Sequence, residues 1–279
     1  MKRNTIFSST SPSYGQGTSE RGESLELKPT SRARRSHSLL PSIPDYVEER
    51  AADCEEPLIY SSEVTGAVAG VGRQLCSFNR ATRVILFGPP GMGKSATLRN
   101  WSRQSPGPFW WVRADQTFSA FLGGTASNIA AVFAAAARSH AVLIFDDFDA
   151  FARRRDDPRE SGEGRRVVTG LLAALDGSED RVPVLAATNL PGVIDPAVLR
   201  RFSNLINFGQ FDAESAARLL RQLFPLFDPD PEWLRIATRL SPAELTDIAK
   251  ALGPEPAQET LLTALNRRVD ALAAMRGEI

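Results

Sequence analysis

Apolar residues along this chain follow two rhythms that take turns between about residues 82 and 208. Five short apolar runs (82–87, 109–113, 141–146, 182–188 and 205–208) are rich in β-branched and aromatic residues and too short for buried helices, so they predict strands. Helical stretches are expected between them, at about 94–103, 127–138 and 164–175. The last sets Val167, Val168, Leu171, Leu172 and Leu175 at spacings of three and four, which is one face of a helix. A weaker helix is expected over residues 63–78, where Gly66, Gly70 and Gly72 lower the propensity. Alternation of this kind predicts an α/β fold with a parallel sheet and helices on both faces.

Beyond Phe211 the strand rhythm stops. Asp212 opens a helix whose apolar side is Leu219, Leu220, Leu223 and Phe224. Asp230-Pro231 reads as the cap and first residue of a second. Ser241-Pro242-Ala243-Glu244 has the form of a capping box opening a third, which Gly253-Pro254 closes. A fourth carries Leu261, Leu262, Leu265, Val269 and Leu272 at helical spacing. The chain therefore divides into a tail and linker over 1–60, an α/β domain over 61–210 and a small all-α lid over 211–279.

The tail differs in kind. Over residues 1–44, seven Lys and Arg face only Glu20, Glu23 and Glu26, and no apolar period emerges, so disorder is expected. No apolar run follows Lys2-Arg3, which argues against a secretory signal, and the three glutamates argue against a transit peptide. The next stretch reverses sign, with Asp45, Glu48, Glu49, Asp53, Glu55 and Glu56 against Arg50 alone. The two segments could dock on each other or hold a partner, and ordered structure is expected from about Ser61. Lys+Arg and Asp+Glu both number 33, so no global field draws the protein to nucleic acid or membrane. The uncharged run 116–137 holds too many polar groups, Gln116, Ser119 and Asn128 among them, for a bilayer span. Cys54 and Cys76 lack metal spacing, and His37 and His140 are isolated; a reducing, cytoplasmic location is expected.

One stretch changes the picture from architecture to chemistry. Gly88-Pro89-Pro90-Gly91-Met92-Gly93-Lys94-Ser95 follows the predicted strand Val84–Phe87 and precedes a predicted helix, the context a phosphate-binding loop requires. Gly88 and Gly93 allow a tight turn that gathers backbone N–H groups around an anion. Lys94 supplies charge to the β- and γ-phosphates, Ser95 a hydroxyl for Mg²⁺, and Ser95 and Ala96 open the helix whose N-terminus favours the same anion. A nucleoside triphosphate with Mg²⁺ is the expected ligand. A second run, Val142–Asp149, ends a buried strand in Asp146, Asp147 and Asp149, which puts carboxylates where a magnesium ion and an attacking water must sit.

From about Arg83 to Leu252 the chain resembles the AAA ATPases of the AAA+ superfamily. Gly88–Ser95 is similar to their Walker A loop and Phe145–Asp149 to their Walker B. Ala187-Thr188-Asn189-Leu190-Pro191 with Ile194-Asp195-Pro196-Ala197-Val198-Leu199-Arg200-Arg201-Phe202 resembles their second region of homology. The adjacent arginines resemble the branch that contains katanin and spastin. The resemblance implies a P-loop NTPase sheet of five parallel strands in the order 5-1-4-3-2. It implies Asp146 at the metal, Asn189 orienting water, and Arg200 and Arg201 reaching into a neighbouring subunit, hence a homo-oligomer, expected as a hexameric ring. Phe121-Leu122-Gly123 resembles the pore loop that grips an extended protein substrate, and residues 156–164 a second channel loop. The implied function is ATP-driven remodelling of a protein partner; a slow assembly switch is the alternative. The run Arg153-Arg154-Arg155 reads as a solvated face, with a neighbouring subunit as its other use.

The chain departs from the family at Asp147, where relatives carry glutamate. The shorter side chain withdraws the carboxylate by about 1.5 Å, and a misplacement of about 1 Å costs roughly a hundredfold in rate. Slow turnover is expected.

Overall fold

A computed structural model describes residues 47–49, 58–77, 82–104, 107–114, 125–156, 162–178, 181–209 and 211–277. The tail over 1–44, the Phe121-Leu122-Gly123 motif and residues 157–161 of the second loop lie outside them. The elements run β1 (Val47–Glu49), α1 (Ser62–Cys76), β2 (Arg83–Phe87), α2 (Lys94–Gln104), β3 (Phe109–Val112), α3 (Thr125–Ser139) and β4 (Val142–Phe145). They continue with α4 (Asp149–Ala152), α5 (Gly162–Gly177), β5 (Val184–Thr188), a 3₁₀ turn (Pro191–Val193), α6 (Pro196–Leu199) and β6 (Asn204–Asn207). Helices α7 (Ala213–Leu223), α8 (Pro231–Ala237), α9 (Pro242–Leu252) and α10 (Gln258–Arg276) close the chain.

The sheet order is β1-β3-β4-β5-β2-β6. Its five parallel strands reproduce the order expected from the family resemblance, and the structure adds β1, paired antiparallel to β3. That addition corrects the expectation that order begins near Ser61. Three residues in an acidic stretch carry no readable period; Val47, 7% exposed, reaches the core.

The central strands read as unbroken apolar runs because both faces are covered. Alternation sends their side chains to two separate cores. Ile85, Leu143, Phe145 and Ala186 pack with Val132 and Phe133 of α3 and Leu171 and Leu175 of α5. Val84, Leu86, Ile144 and Leu185 pack with Val71 of α1 and with Leu98 and Trp101 of α2. A strand stripped of either helix pair would expose half of its run to water. Phosphate-loop chemistry at the strand ends therefore rests on both layers.

The terminal helices share a third core around Leu219, Leu220, Phe224, Leu245, Leu261 and Leu265. Their starts form as the sequence predicts. Asp212 accepts from Ser215 N at 2.8 Å, and Asp230 from Glu232 N and Trp233 N at 2.9 and 3.1 Å. Ser241 and Glu244 complete the capping box, and Gly253 ends α9 at φ 80°. Among the described residues no helix is long and apolar enough to cross a membrane.

Helix α3 ends on His140, whose φ of 54° is left-handed, while Ala141 N donates to Ala136 O at 2.9 Å. That is the geometry of a glycine-favouring helix stop held by a residue with a Cβ. His140→Gly is expected to raise the unfolding free energy by about 1 kcal/mol, measured by urea titration.

Candidate active site

Residues 88–93 carry the chain from β2 into α2 and leave no room for side chains at two points. Gly88 has φ 137°, and a Cβ there would lie 2.9 Å from the Phe208 carbonyl carbon. Gly91 has φ 77°, and a Cβ would lie 2.5 Å from the Ser241 hydroxyl. The Gly91 carbonyl accepts from Ala243 N at 3.1 Å, so the loop is docked on the first turn of α9. Loops of this form present amide groups to an anion, and the start of α2 adds its partial positive charge.

Lys94 is 6% exposed and its Nζ donates to the carbonyls of Gly88 and Pro89, both at 2.7 Å. Burial pulls its pKa below the ordinary lysine value, against the opposing pull of Asp146 and Asp147. Ser95 Oγ donates to Asp146 Oδ1 at 3.0 Å. Pro90, Gly91, Met92, Gly93, Lys94, Ser95 and Ala96 line a cavity of about 630 Å³, and Asp146, Asp147 and Asn189 line it too. Such a volume suits a nucleotide. Of the sequence-predicted loop residues, Gly88 and Pro89 do not line it; their carbonyls hold Lys94 instead.

The three carboxylates differ in their surroundings. Asp147 is exposed, at the left-handed φ of 55°, and its pKa is raised, first by desolvation, then by the charges of Asp146 and Asp149, with Lys94 opposing. Asp149 Oδ1 accepts from Thr188 Oγ1 at 2.8 Å, and Thr188 Oγ1 accepts from Leu190 N at 3.0 Å. Asp149 thus clamps the turn that carries Asn189. Ser95, Asp146 and Asp147 are hard oxygen donors of the kind Mg²⁺ takes. Among the described residues no group of three or more His, Cys, Asp or Glu side chains could hold a metal.

The two arginines read as a matched pair in the sequence stand in different situations. Arg200 is exposed, and its side chain makes no hydrogen bond or ion pair among the described residues, while its backbone N donates to Pro196 O at 3.2 Å. Arg201 is tied down: Nε and Nη2 donate to Asp176 Oδ1 and Oδ2, each at 2.9 Å, and Nη1 donates to Ala197 O at 2.8 Å. Neither lines the cavity.

Sequence reasoning missed the far wall. Leu58, Ile59 and Tyr60, assigned to the linker, line the cavity together with Leu219, Leu223 and Pro242 of the helical region. Tyr60 OH lies 2.8 Å from Thr97 Oγ1, which donates to Gly93 O at 2.8 Å. Burial pushes the Tyr60 phenol up to about 12, against the Thr97 hydrogen bond. The only local signal was three apolar residues in a row after Pro57.

Fold and cavity together define a phosphate-loop nucleotide-binding domain. Residues 84–210 match the family model described as "ATPase family associated with various cellular activities (AAA)", so this chain contains an AAA ATPase domain. It is 38% identical over 152 residues to an uncharacterized AAA family ATPase of Sinorhizobium fredii, covering 53% of this chain and 46% of that one. It is 33% identical over 195 residues to the ATP-dependent zinc metalloprotease FtsH 3 of Sphaerobacter thermophilus (67% of this chain, 39% of the relative). Spastin of Naegleria gruberi is 31% identical over 195 residues (65% and 37%). The chain spans less than half the length of these relatives.

A raised pKa means that ionising Asp147 costs the fold stability. That stability is present below the ordinary carboxylate pKa and lost as pH rises through the elevated one. Asparagine carries no charge there and tolerates a positive φ better than most residues. Nucleotide-free Asp147→Asn is therefore expected to melt higher than wild type at neutral pH, with the gap narrowing in acid, by differential scanning fluorimetry.

Proposed function

We propose that this chain hydrolyses ATP at the seam between two copies of itself in a closed oligomer, and uses the cycle to remodel a protein partner. The observation that carries the seam is Arg200, which is exposed, without a partner among the described residues, and outside the cavity lined by Lys94 and Asn189. An arginine so placed can reach a neighbouring copy. The roles follow from position. Lys94 exchanges its two loop carbonyls for phosphate oxygens, and the buried setting strengthens that contact. Asn189 holds a water in line with the γ-phosphorus, and Asp147 takes the proton as the water oxygen bonds to phosphorus and the bond to the β-phosphate oxygen breaks. Ser95 and Asp146 would hold Mg²⁺, which when bound neutralises developing charge on the phosphates. Arg200 of the neighbour does the same from across the seam.

A protein partner is supported by the resemblance of Phe121-Leu122-Gly123 to a pore loop, and by a metalloprotease among the relatives. ATP turnover per chain is expected to rise with protein concentration to a plateau. Arg200→Ala should lower the plateau rate by about 10³-fold or more while leaving binding of a fluorescent ATP analogue unchanged. A variant that turns over like wild type removes the seam.

Asp147 favours a second reading, a slow switch that assembles on ATP and resets on hydrolysis. Its carboxylate stops one methylene short of the glutamate in relatives. If slowness is built in at this residue, Asp147→Glu should raise kcat by roughly tenfold or more in a steady-state phosphate-release assay. An unchanged or lower kcat refutes the switch.

A further inference from the structure

Helix α6, which leads into Arg200, has only four residues. A helix so short has no stability of its own, so its direction is set by what clamps its ends. The C-terminal clamp is Arg201 on Asp176. The N-terminal clamp is Asp195, whose Oδ1 caps the helix by accepting from Ala197 N at 2.8 Å. Its Oδ2 accepts from Arg155 Nε at 2.8 Å.

Arg155 belongs to a strap that starts in the nucleotide site. Chain leaving α4, itself opened by Asp149, runs antiparallel to the residues before α6. Arg153 bridges Ile194, Arg154 N donates to Val193 O at 2.8 Å, and Asp195 N donates to Ala152 O at 2.7 Å. The basic run that reads as a solvated face is thus partly spent on the chain's own structure. Asp195 is nearly out of water, its side chain 6% exposed against 43% for Arg155. Burial pushes its carboxyl up, but the hydrogen bonds from Arg155 and the Ala197 amide, with the Arg155 charge, outweigh that and hold it below the ordinary value. Without Arg155 the capping carboxylate would be a buried charge lacking its counter-ion, and α6 would have to shift to rehydrate it.

We infer that Arg155, acting through Asp195, is a positioning residue for Arg200, so that it serves the nucleotide site on the neighbouring copy and not the one on its own chain. The inference rests on the seam reading above. It is directional, and a general structural role is not.

The test mixes two full-length variants, each inactive alone. Asp147→Asn protomers bind ATP and offer Arg200; Arg200→Ala protomers keep a complete site but offer no arginine. Co-assembly should restore ATP turnover, because the first supplies its arginine to the second. Arg155→Ala placed in the Asp147→Asn protomer should lower the restored rate about tenfold or more. Placed in the Arg200→Ala protomer, it should leave the restored rate unchanged. Equal loss from both placements, or loss from neither, overturns the positioning role while the seam stands. Failure of the parent mixture to recover overturns both readings. If Arg155→Ala protomers do not co-assemble, Arg155→Lys, which keeps the charge but loses the Nε donor, is read by the same two placements.

Discussion

A positive charge held out of water at the end of β2 constrains everything around it. Lys94 cannot be buried at 6% exposure unless its ammonium is satisfied, and the carbonyls of Gly88 and Pro89 do this. Those carbonyls converge only because Gly88 takes a φ of 137° with its Cα against the Phe208 backbone. Phe208 N in turn donates to Phe87 O at 2.7 Å, extending the β2–β6 pairing up to the loop. Sheet register, loop shape and lysine burial are thus one arrangement. The loop satisfies its lysine from within, through two short, charge-assisted hydrogen bonds.

The opposing carboxylates show where the fold accepts a cost. Asp147 stands between two other aspartates at the end of β4: desolvation first, and then the charges of Asp146 and Asp149, raise its pKa, and its backbone is left-handed at φ 55°. A site built for stability alone would not keep it. Strain and charge repulsion of this kind mark positions retained for chemistry. Asp149 accepts a hydrogen bond from Thr188 Oγ1, which ties the carboxylate strand to the neighbouring strand end.

Sequence reading succeeds here where information is local. The runs in β2, β4 and β5 announce a two-sided core, and Asp230-Pro231 or Ser241–Glu244 specify helix starts within four residues. It fails where a feature depends on partners distant in the chain. Val47–Glu49 becomes a strand only because β3 needs an edge partner. Leu58–Tyr60 become a cavity wall only because Ile59 packs on the helical core while Tyr60 packs on the sheet core. Helices α4 and α6 are too short to display a period at all.

Arg200 and Arg201 illustrate the same limit most sharply. Side by side in sequence they look interchangeable, yet successive residues on a helical turn point about 100° apart. That rotation puts Arg201 over Asp176 of α5 and leaves Arg200 facing solvent. Arg201's bidentate pair and the Asp195 cap hold a four-residue helix that has no cooperative stability of its own, and that helix carries Arg200 as a rigid projection. An arginine on a floppy loop would lose much of its effect on a transition state to the entropy of finding it. The paired arginine supplies order to the turn that carries the exposed one.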